Sequence, residues 1–121
     1  MPDTLYQRLG GYDAIAAVAD DLLPRLMGDA QLARFWKHRP ADSVKREKQL
    51  LIDFLCASAG GPLDYVGRDM KTSHKGMGIT DSDWQRFIGH VNETLGKFAV
   101  PARERSEVLG FVESLKKDIV D

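Results

Sequence analysis

The chain has 121 residues, with 17 Lys and Arg against 18 Asp and Glu and a formal net charge of -1. That length suits a single domain over 1–121 with a thin core, and the charge balance supplies no global field to draw nucleic acid or an anionic membrane. Cys56 is the only cysteine, which excludes an intrachain disulfide and a zinc cage built from cysteines of one chain.

The opening MPDTLYQRLGG lacks the basic and then apolar pattern of a signal peptide. No apolar run approaches the roughly 20 residues that span a bilayer, so a cytoplasmic protein without membrane insertion is expected. A short helical turn is expected over residues 4–9, and the pair Gly10 and Gly11 reads as a flexible corner. Behind it Ile15, Val18, Leu22 and Leu26 recur at helical spacing. Pro24 lacks a backbone donor and clashes with the preceding turn, which predicts a kink or an early end.

Leu32, Phe35 and Trp36 predict a short helix that stops at Pro40. Ser43 is the expected N-cap of the next helix, in which Val44, Leu51, Phe54 and Leu55 share a face and Gly60 and Gly61 end the run. Residues 61–78, GPLDYVGRDMKTSHKGMG, then form a glycine-rich stretch too long for an ordinary connection between packed helices. Thr80 and Asp83 make a start resembling a capping box for a helix with Trp84, Phe87, Ile88, Val91 and Leu95 on its apolar stripe. Pro101 suits the first turn of a last helix, where Val108, Val112, Leu115 and Ile119 recur. Nothing alternates with period two, so the fold class is all-α.

A thin helical core broken by a glycine-rich loop leaves room for an apolar group. Phe35, Trp36, Leu51, Phe54, Leu55, Met70, Met77, Ile79, Trp84 and Phe87 could line a flat cofactor, or could pack on one another. With haem, His74 would give one imidazole nitrogen to iron while the other is oriented by a carbonyl or hydroxyl of Met70, Thr72 or Ser73. A lone histidine in a polar loop is otherwise a solvated side chain. His38, between Lys37 and Arg39, and His90, off the apolar stripe, read as surface residues.

Four marks stand in order: LGG at 9–11, DAQLARFW, AGGPLDYVGRDM at 59–70 and HKGMGIT at 74–80. With them the chain resembles the truncated haemoglobins, most closely the first group, from LYQRLGG almost to the C-terminus. The resemblance implies a shortened globin, a two-over-two helical sandwich around haem (iron protoporphyrin IX), whose proximal helix is replaced by a glycine-bounded loop. It puts the iron ligand at His74 and the aromatic wedge against the haem at Phe35 or Trp36. Leu51, Leu55, Met77, Ile79, Trp84 and Phe87 match haem contacts, with Met70 beside the ligand. Tyr65 and Lys71 fall near the haem edge and propionates, where Lys71 could pair its ammonium or stay solvated.

On the distal side the sequence departs from the family. Leu23 stands where a tyrosine is common, and Leu51 where a glutamine often stands. Glu47 falls on the gate position, and Lys48 could donate to a ligand or bind iron after losing its proton, although KREKQ also reads as a solvated helix face. The resemblance therefore implies a mostly apolar distal pocket. It implies reversible binding of dioxygen, nitric oxide or carbon monoxide, with a reductase as a partner. A second reading is an enzyme on this scaffold, a nitric oxide dioxygenase or a peroxidase, for which the leucines leave no clear general acid. A third is a non-haem helical interaction module, with Trp84, Phe87 and Met77 forming a partner groove.

Overall fold

The structure is a computed structural model and describes residues 4–120 except residues 38, 63, 64, 66 and 68. Thr4 opens α1 (Leu5–Leu9) with a reciprocal cap: its hydroxyl accepts from the Gln7 amide at 3.2 Å, and Gln7 Oε1 accepts from the Thr4 amide at 3.0 Å. The Tyr6 amide then donates to the Ala59 carbonyl at 2.8 Å, tying α1 to the end of a later helix. Gly10 turns the corner at φ 108°, and a Cβ there would lie 2.9 Å from the Ala14 Cβ, so both conformation and space call for glycine.

The next helix, α2, runs Gly11–Met27. Pro24 does not end it early. Its missing donor removes one bond near the C-terminus, while its own carbonyl accepts from the Gly28 amide at 2.9 Å and the last turn closes. Residues 29–36 also differ from expectation, holding a 3-10 turn, Ala33–Phe35, in place of an α-helix. The Asp29 carboxylate accepts from the Gln31 amide at 2.8 Å and the Leu32 amide at 3.2 Å, so a side chain takes the donors that would have opened a helix.

Helix α3 covers Ala41–Ser58 and begins behind Pro40, two residues ahead of Ser43. Within the expected loop the structure places a short helix, α4 (Met70–His74), capped by Asp69, whose carboxylate accepts from the Thr72 amide at 2.7 Å. Helix α5 (Asp81–Lys97) starts as the sequence predicts, on the Thr80 and Asp83 cap with both bonds made. Pro101 precedes α6 (Ala102–Ser114), and the expected continuous last helix breaks at Leu115 before α7 (Lys116–Ile119).

Helix α2 is central, packing on α3 and on α5, while α1 bridges α2 and α6 and α4 lies against α7. Its residues enter two apolar clusters. Ile15 and Ala19 meet Ile52 and Cys56 of α3; Leu22 and Leu26 meet Leu32 with Val91 and Leu95 of α5. Ala19 has no exposed surface, and its small side chain lets α2 and α3 approach closely. Each buried leucine or isoleucine contributes about 1.5–3 kcal/mol, against about 0–1 kcal/mol for an exposed ion pair, so the clusters hold the sandwich together. Among the described residues there are helices and turns and no strand, and the fold is all-α.

Candidate functional site

His74 closes α4 and is half-buried. The Met70 carbonyl lies 2.8 Å from its Nδ1, and because a carbonyl only accepts, Nδ1 carries the proton. Ser73 Oγ lies 3.0 Å from the same nitrogen and donates to the Met70 carbonyl at 3.2 Å. The ring is thereby held in one tautomer, with the lone pair on Nε2. Gly76 and Gly78 follow with φ of 76° and 72°, a left-handed path that glycine takes freely and that turns the chain back toward Ile79.

The apolar candidates fall into groups. Phe35, Trp36 and Phe87 pack around the cluster shared by α2 and α5, and Leu51 and Leu55 around the one shared by α2 and α3. The rings of Phe35 and Trp36 meet edge to face at 6.3 Å, and those of Trp84 and Phe87 lie tilted at 5.2 Å. Ile79 and Trp84 are buried; Met70 and Met77 are half-buried; Lys71 is exposed. Tyr65 lies edge-on to Phe54 at 5.1 Å, and Phe54 in turn reaches Phe111 at 5.8 Å. Sequence reading missed Phe111, since no local signal links α6 to α3. It also missed an apolar cavity of about 240 Å³ among α1, α2, α3, α5 and α6, where Val18, Leu55, Leu95 and Phe111 meet.

The polar candidates of α3 turn to other partners. Glu47 pairs with Arg39, and Lys48 Nζ donates to Asp20 Oδ1 of α2 at 2.7 Å. Gln49 Nε2 donates to the Tyr12 hydroxyl at 3.0 Å and to Asp53 Oδ1 at 2.9 Å. On α2, Leu23 is buried between Leu22 and Pro24 along the chain. His38 lies outside the described residues. His90 is no free surface residue: its Nε2–H donates to Asp29 Oδ2 at 2.7 Å, and its Nδ1 is buried.

The model of the family described as bacterial-like globin matches residues 4–121. The chain belongs to that globin family. It is 33% identical over 118 residues to a group 1 truncated hemoglobin of Mycolicibacterium paratuberculosis, covering 98% of this chain and 85% of that protein. It is 28% identical to a group 1 truncated hemoglobin of Tetrahymena pyriformis, covering 98% and 96%. The solved structure of the truncated hemoglobin from Tetrahymena pyriformis in its Fe(III) form superposes with a TM-score of 0.87 at 27% identity over 98% of each chain. The fold is the two-over-two globin, and the protein is a haem protein that binds diatomic gases.

The donor chemistry of this globin fits haem. Nε2 of His74 is an imidazole nitrogen with its lone pair available and its partner nitrogen anchored, the arrangement an axial iron ligand uses. Around the site, buried carboxylates fix the segment that carries Phe35 and Trp36. Asp83 accepts from Arg34 Nη2 at 2.5 Å and Gln31 Nε2 at 2.6 Å, and the Arg34 guanidinium holds this carboxyl well below the usual range. The Arg34 guanidinium also lies 4.2 Å from the Phe35 ring centre. Asp29 joins the end of α2 to α5 through His90 and Arg86, and the His90 bond, then the Arg86 one, depresses its carboxyl too. Among the described residues no helix is long and apolar enough to cross a membrane.

Proposed function

We propose that this globin binds dioxygen, nitric oxide or carbon monoxide at a haem iron that His74 Nε2 would hold, with Leu51 and Leu55 of α3 among the apolar residues that would enclose the haem. The observation that carries the reading is the bond from Nδ1–H to the Met70 carbonyl at 2.8 Å, which fixes the tautomer and leaves Nε2 as the donor. Haem iron supplies the gas coordination, and the chain's own residues orient, enclose and exclude water. Phe35 or Trp36 wedges against the haem, while Met77, Ile79, Trp84 and Phe87 give it apolar walls. Met70 would lie beside His74, and Tyr65 and Lys71 near the haem edge. The exposed Lys71 ammonium contributes only about 0–1 kcal/mol toward a propionate, because water screens it.

Dioxygen and carbon monoxide bind only reduced iron, so a reductase is part of the proposed setting. The reading further takes residues 1–121 as one domain working in the cytoplasm, which the buried, unpaired Cys56 supports. Absorption spectra of the haem-loaded protein test the assignment. The wild type should show a Soret band with histidine ligation, and His74→Ala should lose that ligation. An unchanged spectrum in the variant would transfer the ligand to His38, His90 or Lys48.

A further inference from the structure

We propose that, among the described residues, α2 and α3 offer a gas bound on the distal face of this globin no side-chain hydrogen-bond donor, so that it favours carbon monoxide over dioxygen. The inference rests on the haem reading above, with α3 on the distal side. In the turn of α3 that leads to Leu51, each long polar side chain is already engaged away from the apolar face. Glu47 is held by Arg39, Lys48 by Asp20 at 2.7 Å, and Gln49 by Tyr12 at 3.0 Å and Asp53 at 2.9 Å. What α2 and α3 leave for the pocket is Leu23, buried, with Leu51 and Leu55, half-buried. The buried indole of Trp84 donates to Glu113 Oε1 at 3.4 Å.

The ion pair of Lys48 and Asp20 is exposed and holds little by itself. Desolvation decides the matter: carrying the Lys48 ammonium into an apolar pocket forfeits its hydration, which the carbon walls cannot replace. Burial and pairing therefore act in one direction. The gases respond differently to such a pocket. Dioxygen draws electron density from iron(II) and becomes partly negative, so a donor holds it in place, whereas carbon monoxide stays nearly neutral and gains little. Losing one such bond speeds dioxygen release roughly ten- to hundred-fold and leaves carbon monoxide release almost unaltered.

The test uses the reduced, haem-loaded full chain. Infrared spectra of its carbon monoxide complex report the field at the ligand directly, and stopped-flow mixing gives release rates for both gases. The wild type should show one C–O band at the high frequency of a donor-free pocket. Leu51→Gln should lower that frequency and slow dioxygen release about ten-fold, with carbon monoxide release changed less than about threefold. Leu23→Tyr repeats the trial from α2, and the wild-type band stands even without a folded variant. A low-frequency band in the wild type overturns the inference, and its rise in Lys48→Met or Trp36→Phe would name the donor. Haem binding with such a band sinks only this inference; absence of a Soret band after adding hemin removes the haem reading as well.

Discussion

Asp83 has 1% of its surface exposed and serves three partners at once. It caps α5 through the Thr80 amide at 2.9 Å, pairs with Arg34, and accepts from Gln31. Because Arg34 lies within the 3-10 turn and Gln31 just ahead of it, this one carboxylate sets where Phe35 and Trp36 stand relative to α5. Asp83→Ala removes the return bond of the cap to the Thr80 amide and strands the Arg34 and Gln31 donors, and should lower unfolding stability by about 2 kcal/mol. Asp83→Asn keeps an oxygen for the cap and should lose about 1 kcal/mol. Urea unfolding of the two variants measures the difference; equal losses would mean that the cap contributes nothing. The local half of this arrangement is legible in the chain, since Thr80 and Asp83 are three residues apart. Arg34 and Gln31 are about fifty positions away, and only the folded sandwich brings them there.

At the scale of elements, the end of α5 carries a strain the sequence does not announce. Ala99 adopts φ 51°, while its amide donates to the Gly96 carbonyl and the Val100 amide to the Leu95 carbonyl, both at 3.1 Å. This is a Schellman-type close, in which glycine is the favoured residue. The left-handed conformation costs alanine roughly 1–2 kcal/mol, and glycine returns part of that through its freer unfolded chain. Ala99→Gly should therefore raise stability by about 0.5–1 kcal/mol in thermal unfolding, with α5 unchanged by circular dichroism.

The segment LGKFAVP shows a helix stop through Pro101, yet the turn type depends on hydrogen bonds that composition does not display. The same reason explains the 3-10 turn after Asp29, where apolar spacing favoured a helix and a side chain took its first donors. Helix periodicity was legible in α2, α3, α5 and α6 because their buried faces repeat locally. The place of His74 was legible through the ordered glycine marks, but its anchoring to Met70 required the backbone of α4, a helix of one turn that carries no periodicity.

Across the whole molecule, carboxylates join helices that the apolar clusters alone would leave free to slide. Asp21 accepts from Lys97 Nζ at 2.8 Å, Arg25 Nε at 2.7 Å and Thr94 Oγ1 at 2.8 Å, which locks α2 to α5. Asp29 makes the second tie between α2 and α5, and Asp83 the tie to the turn between α2 and α3. Each carboxyl is held well below the usual range: Asp21 by Lys97 first, Asp29 by His90, and Asp83 by Arg34. A depressed carboxyl contributes stability in full above its unfolded value, about 3.9 for aspartate, and loses it as pH falls toward the folded value. In that window the unfolded chain binds more protons than the folded one, so acid drives unfolding.

The urea midpoint should accordingly vary little between about pH 7 and 5 and fall steeply below about pH 4. Asp21→Asn and Asp29→Asn should start less stable at neutral pH and show a shallower acid slope, because one proton-linked tie is already gone. Strong salt should weaken the exposed Lys97 contact while sparing the tie at Asp29, whose side chain is only 4% exposed. If both variants kept the wild-type acid slope, the acid response would arise from carboxyls other than those that join α2 to α5.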